Sequence, residues 1–165
     1  MEASDLNVNQ FYGHRVRLRA CGIYMKDNEI LLVNHSLYGS GTQFWSPPGG
    51  GVEFGESAKD TLKREFFEET GLLVEVGKMC FVNEFIQPPL HAVEMFFEIL
   101  SADGIVEKGS DPEFTESNQI IREVRFWSAA ELAGLAAESR HSVLQNLNSM
   151  DDILKSEGFI ASNRS

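Results

Sequence analysis

Three glutamates, Glu65, Glu68 and Glu69, stand within five residues of one another, directly after Arg64. Carboxylates grouped this tightly are hard oxygen donors, the ligand type that selects Mg²⁺ or Mn²⁺ over metals preferring sulfur or imidazole. Such a cation neutralises negatively charged oxygens and activates water, and a nearby carboxylate can serve as base. The surrounding residues predict the element that carries the acids. Ser57 and Asp60 form an S-x-x-D capping pattern that starts a helix near Ser57. Ala58, Leu62 and Phe66 recur at four-residue spacing as one apolar stripe, and Gly71 is suited to the left-handed conformation that ends helices. At roughly 100° per residue the three acids share an arc of about 100° beside that stripe.

That placement is electrostatically unfavourable. The C-terminal end of a helix carries partial negative charge, and Glu65 and Glu69 repel each other at four-residue spacing. A solvated acidic face is the plain reading of an acid-rich helix. Here the acids crowd the wrong helix end with only Arg64 close by, and a bound divalent cation reverses the penalty. Upstream, Ser46-Pro47-Pro48-Gly49-Gly50-Gly51 reads as a loop, because prolines and consecutive glycines interrupt regular structure. Residues without side chains let backbone groups approach a metal or phosphate. Glu56 stands near the helix start, where the dipole favours it, and reads as a positioning residue. Glu53 reads equally as an exposed loop acid.

The uninterrupted run Gly50 to Leu72, GGVEFGESAKDTLKREFFEETGL, resembles the Nudix box, the signature of enzymes that hydrolyse a nucleoside diphosphate linked to another moiety. Gly50, Glu56, Arg64, Glu65, Glu68, Glu69 and Gly71 occupy the fixed positions. Two departures are Pro47, at a position that is usually aliphatic, and Phe66, in place of a smaller aliphatic residue. The resemblance covers roughly residues 15 to 137 and implies the Nudix fold, an α/β/α sandwich with a mixed sheet. It implies Mg²⁺ (or Mn²⁺) held by the carbonyl of Gly50 and the carboxylates of Glu65, Glu68 and Glu69, with Arg64 orienting the glutamates. The base is Glu65 or an acid on a loop after the box; among Glu113, Glu116 and Glu123, Glu116 is preferred for its polar surroundings.

With 165 residues the chain reads as a single domain, 1–165, with a loose arm over 1–11 and a C-terminal helical extension over 138–165. A net charge of −11 argues against a sequence-independent grip on nucleic acid or on an anionic membrane. It leaves room for a small nucleotide substrate, because the cation carries the positive charge to the phosphates. No signal-peptide pattern and no apolar run of transmembrane length is seen, so a cytoplasmic protein is expected. Cys21 and Cys80 give no disulfide framework and read as structural thiols. A homodimer is compatible with the sequence.

Strands are expected over 14–25, 30–34, 73–85, 93–100 and 123–127, with a turn at 26–29, long connections at 36–43 and 102–119, and a short helix from Ser128 to Leu135. Val143, Leu144, Leu147, Met150 and Leu154 predict a terminal amphipathic helix over 142–156. Arg15, Arg17 and Arg19 alternate with apolar residues, so all three are expected on one strand face, facing either solvent or substrate. Pro88, 16 residues beyond Leu72, resembles a proline that marks ADP-ribose-cleaving members, and the same residue also breaks a strand. Phe11, Tyr12, Tyr38 and Phe44 are candidates for base stacking or packing, Trp45 for the core, and His91 for a structural role. The first substrate expectation is therefore ADP-ribose or a related nucleotide sugar. The alternatives are a (d)NTP pyrophosphohydrolase that clears oxidised nucleotides such as 8-oxo-dGTP, and a non-catalytic nucleotide-binding regulatory module. The last is disfavoured because every box acid is retained.

Overall fold

The computed structural model describes residues 10–35, 43–109, 121–145, 147 and 149–163. In chain order the strands are β1 (Val16–Ile23), β2 (Met25–Lys26), β3 (Glu29–His35), β4 (Phe44–Ser46) and β5 (Gly49–Gly51). Helix α1 (Ala58–Thr70) follows, then β6 (Leu73–Gln87), β7 (Leu90–Asp103), β8 (Ile121–Trp127), helices α2 (Ala129–Ala133) and α3 (Asp151–Lys155), and β9 (Gly158–Asn163). Among the described residues the strands form a mixed five-stranded sheet, ordered β5-β1-β7-β6-β9, and a second sheet in which β3 joins β2, β4 and β8.

The apolar runs of β1 and β3 explain the layering. Successive strand side chains point to opposite faces, so a run buried on both faces needs cover on both sides. Ala20 and Leu31 join a core with Leu62, Phe66, Leu72 and Ile99, which seats α1. Their neighbours Cys21 and Leu32 join the opposite core with Trp45, Phe81, Phe96, Trp127, Leu144 and Ile153, which seats the C-terminal elements. The result is the expected α/β/α class with a mixed sheet. No helix among the described residues is long and apolar enough to cross a membrane.

Four local expectations need correction. The glycine run is not a loop: Gly49–Gly51 pairs antiparallel with Arg19–Cys21, because side-chain-free residues pack against β1 where a Cβ on Gly49 would lie 2.3 Å from the Ala20 carbonyl oxygen. The arginine stripe is shorter than expected. β1 begins at Val16, after His14 turns the chain with a φ of 58°, so only Arg17 and Arg19 alternate along the strand. The Arg15 guanidinium instead bonds the carbonyl of Phe11.

Among its described residues the extension over 138–165 is not one of helices alone. They form 3-10 turns at Ala137–Ser139 and Ser142–Leu144, the five-residue α3, and β9, which pairs parallel with β6. Extended backbone at His141 and Gln145 interrupts the helix, in a segment whose serines favour turns and caps over helix interiors. Leu144, Met150 and Ile153 still bury in the core. The connection at 102–119 starts later than expected, since β7 runs to Asp103. Glu113 and Glu116 lie outside the described residues, as do Tyr38 and residues 1–9 of the N-terminal arm.

Candidate active site

Helix α1 starts and ends as its sequence predicts. The Ser57 side chain caps it by accepting from the Asp60 N–H, and Gly71 ends it at a φ of 74° with its N–H bonded to the Phe67 carbonyl. The last carbonyls would otherwise be orphaned. The backbone after β7 satisfies them, as the N–H of Glu107 bonds the Thr70 carbonyl and that of Gly109 bonds the Glu69 carbonyl, each at 2.9 Å. The larger residue at Phe66 has a matching vacancy: a Cβ on Gly22 of β1 would lie 2.4 Å from Phe66 Cε2.

Arg64 is the hub of the outer acids. Its Nε and Nη2 donate to the two oxygens of Glu56 at 3.0 and 3.1 Å, a bidentate clasp. Its Nη1 donates to Glu65 Oε1 at 3.0 Å and to Glu68 Oε2 at 3.2 Å, while Nη2 reaches the Gly51 carbonyl at 3.5 Å. Glu56 also accepts from the Thr61 hydroxyl at 2.6 Å. These bonds, Arg64's first, hold the Glu56 carboxyl at about 2. Glu56 thus holds Arg64 from one side while Arg64 bonds Glu65 and Glu68 on the other.

Glu69 turns inward and is 5% exposed. Its Oε2 accepts the Gly49 N–H at 2.9 Å, and its Oε1 lies 3.1 Å from His35 Nε2. His35 Nδ1 is in turn 3.4 Å from the Ser46 hydroxyl. The set is satisfied when Nε2–H donates to Glu69 and Nδ1 accepts from Ser46. Sequence reading did not single out His35 or Ser46. Only their place on adjacent strands β3 and β4, in register across Val33 and Ser46, brings them to Glu69.

Glu65 lies directly over the glycine strand. A Cβ on Gly50 would fall 2.1 Å from Glu65 Oε1, so only glycine admits this approach. Burial, then the neighbouring Glu69 charge, push the Glu65 carboxyl up to about 7, with Arg64 pulling the other way and Glu68 adding to the rise. The site is short of positive charge. Among the described residues no three acidic, histidine or cysteine side chains already converge on one point. The donors are nonetheless those a hard cation takes, and Mg²⁺ is ordinarily held by one or two carboxylates together with substrate phosphates, not by a closed protein cage. The residues fit the cation.

The remaining predicted residues are more scattered. Arg19 is half-buried against Glu94 and the Gly49 carbonyl. The Arg17 guanidinium stacks 3.9 Å from the Tyr12 ring centroid, and its Nη2 is 3.9 Å from where a Gly51 Cβ would stand. Pro88 is exposed in the tight turn between β6 and β7, and the neighbouring Pro89 carbonyl accepts the His14 N–H at 2.8 Å. His91 pairs with Glu84 at 3.1 Å, a cross-strand contact, and Trp45 is buried in the core. Glu123 lies on β8 with its carboxylate 4.0 Å from Arg125 Nε. Burial pushes the Cys21 thiol up to about 12, which suits an inert structural residue.

The Nudix domain family model matches residues 13–147. The chain belongs to the Nudix family. The chain is 32% identical over 117 residues to an ADP-ribose pyrophosphatase of Methanocaldococcus jannaschii, covering 68% of this chain and 66% of that one. It is 31% identical over 86 residues to human diphosphoinositol polyphosphate phosphohydrolase 3-alpha, covering 52% of this chain and 49% of the relative. The chain thus spans from about half to just under two thirds of these relatives' lengths. A Nudix hydrolase from Nitrosomonas europaea shares the fold, with a TM-score of 0.66 at 18% identity over 84% of this chain and 88% of that one.

Proposed function

We propose that this chain hydrolyses a nucleoside diphosphate linked to a second moiety, with ADP-ribose or a related nucleotide sugar as substrate and Mg²⁺ or Mn²⁺ as cofactor. The observation that carries the reading is the seating of Glu65 and Glu69 on the glycine strand: one lies over Gly50 and the other accepts the Gly49 N–H. Gly50, through its carbonyl, and Glu65, Glu68 and Glu69 would hold the cation. When bound, the cation neutralises the diphosphate oxygens and lowers the pKa of a water.

The protein's own groups do the rest. Arg64 keeps Glu65 and Glu68 turned toward the glycine strand, and Glu56 keeps Arg64 in place. Glu65 takes a proton from the attacking water, or Glu116 does so from the segment after β7. What supports a role for Glu116 is the anchoring of that segment's described flanks. Gly109 bonds the Glu69 carbonyl, and Ile121 is in register with His35, the partner of Glu69. Six residues separate Gly109 from Glu116, seven steps along the chain that reach up to about 25 Å when extended. Arg17, stacked on Tyr12 beside Gly51, is assigned to the substrate's distal part. Arg15 and Pro88 stand at the same end of the sheet, where β1 and β7 begin side by side.

Charge favours a nucleotide sugar over an inositol polyphosphate, because 14 basic residues face 25 acidic ones in the chain and a heavily phosphorylated ligand needs a basic cluster. The test is a Mg²⁺-dependent hydrolysis panel of ADP-ribose, other nucleotide sugars, a diphosphoinositol polyphosphate, and normal and oxidised (d)NTPs. The expected result is AMP from ADP-ribose at the highest kcat/KM. Preference for triphosphates with release of pyrophosphate overturns the substrate assignment and favours the sanitising alternative. Metal binding without any turnover favours a regulatory module.

A further inference from the structure

A second polar chain runs through the interior, assembled from residues that lie outside the box. Its centre is Glu94 on β7, whose side chain is 2% exposed. Glu94 Oε1 accepts from Arg19 Nη1 at 2.9 Å, and Oε2 accepts from Asn83 Nδ2 at 3.0 Å and from His141 Nε2 at 2.8 Å. The His141 tautomer follows from its other side: Nδ1 accepts the Val143 N–H at 3.2 Å, so Nε2 carries the proton given to Glu94. The backbone N–H of His141 bonds the Trp45 carbonyl at 2.8 Å, which fixes the residue to β4. Burial alone would raise the Glu94 carboxyl, yet His141, Arg19 and Asn83 together hold it at about 2.

The other arm of Arg19 shows where this chain leads. Nη2 donates to the Gly49 carbonyl at 3.1 Å, and the Gly49 N–H donates to Glu69 at 2.9 Å. Gly49 is therefore held at both its polar groups. Its carbonyl belongs to the peptide that joins it to Gly50. An ion pair this deeply buried contributes little stability beyond what a well-packed apolar pair supplies. Groups that orient metal ligands from behind do have a use for such rigidity.

We propose that Arg19, fixed by Glu94 and His141, is a positioning residue for the cation site: it sets the orientation of the Gly49–Gly50 peptide, and with it the Gly50 carbonyl and the Glu69 carboxylate. The inference rests on the reading of Gly50 and Glu69 as ligands. It makes the C-terminal segment, through His141, part of the apparatus that shapes the site.

The test is Mn²⁺ titration of the full chain, read by loss of the free-ion EPR signal, alongside steady-state kinetics and thermal unfolding. In Glu94→Gln the Mn²⁺ dissociation constant rises about tenfold and kcat falls about tenfold, with KM for ADP-ribose little changed. His141→Ala behaves similarly, and His141→Gln, which keeps an N–H donor, recovers most of the loss. A lowered Tm with wild-type Mn²⁺ affinity and kcat in Glu94→Gln and His141→Ala overturns the proposal and leaves a purely structural network. If Glu94→Gln does not fold, Arg19→Lys decides: it keeps the cation beside Glu94 but loses the second arm, and unchanged Mn²⁺ affinity there overturns the proposal. A wild-type chain that binds no Mn²⁺ overturns the ligand reading itself, a failure distinct from equal binding by wild type and variants.

Discussion

Two arginines hold the glycine strand at two of its carbonyls. Arg64 reaches the Gly51 carbonyl and Arg19 the Gly49 carbonyl, so the carbonyls on both sides of Gly50 are engaged. The outer network around Arg64 is local in sequence and partly open, with its side chain 29% exposed and its partners between 16% and 26%. The inner network joins residues 19, 83, 94 and 141, and its carboxylate is nearly sealed. The difference separates two tasks. An open network of acids can rearrange when a cation and a diphosphate arrive. A buried one, held on three sides, keeps the backbone between them from moving.

The largest expected effect comes from the buried acid seated on the Gly49 N–H. Glu69→Gln removes an anionic oxygen donor and should lower kcat/KM by on the order of a hundredfold or more, since cation stabilisation of a phosphoryl transition state is worth several kcal/mol. Steady-state assays at saturating Mg²⁺ would show it, and a loss under threefold would break the assignment. Arg64→Lys keeps the charge but not the bidentate clasp on Glu56, and about a tenfold loss of kcat/KM is expected. Wild-type kinetics in that variant would mean the outer network is decorative.

Gly22→Ala acts on the seat of α1, against Phe66 and Ile99. Its methyl meets the Phe66 ring, and roughly 1–3 kcal/mol of stability should be lost in urea unfolding. No loss would show that Phe66 has room to turn aside.

A subtler comparison uses pH and salt. Glu56 and Glu94 are both held at about 2, below the ordinary carboxylate value of 4.5. A carboxylate depressed in the folded state contributes stability that is fully present above 4.5 and is lost as pH falls toward about 2. The stability gap between wild type and either Glu→Gln variant should therefore narrow across that window. Added salt should shrink the gap for Glu56→Gln, whose Arg64 partner is partly open to solvent, and leave that for Glu94→Gln nearly intact. Equal salt sensitivity would erase the distinction between the networks.

The same contrast explains what was legible. The outer site is written in one helix and the strand before it, where a 3.6-residue period, a serine cap and a terminal glycine fix the relative positions of Glu65, Glu68 and Glu69 in advance. The alternation of β1 and the apolar run of β3 likewise pointed to strands, and their two-sided burial gave the layers. Nothing local links Arg19 to Glu94 or Glu94 to His141, because those contacts exist only after β1 and β7 pair in register. His141 was further obscured by apolar spacing that mimics a helix, while Phe159 and Ile160 form too short a run to announce β9. The glycine run was misread because its composition signals a turn, whereas packing against β1 demands residues without side chains.

One measurement bears most directly on the account: AMP release from ADP-ribose by the full chain, with and without Mg²⁺, beside Glu69→Gln. Turnover that needs Mg²⁺ and falls at least about a hundredfold in the variant is the predicted result. Turnover indifferent to Mg²⁺ or to the loss of the Glu69 carboxylate would contradict the claim that this helix and glycine strand are the reactive site.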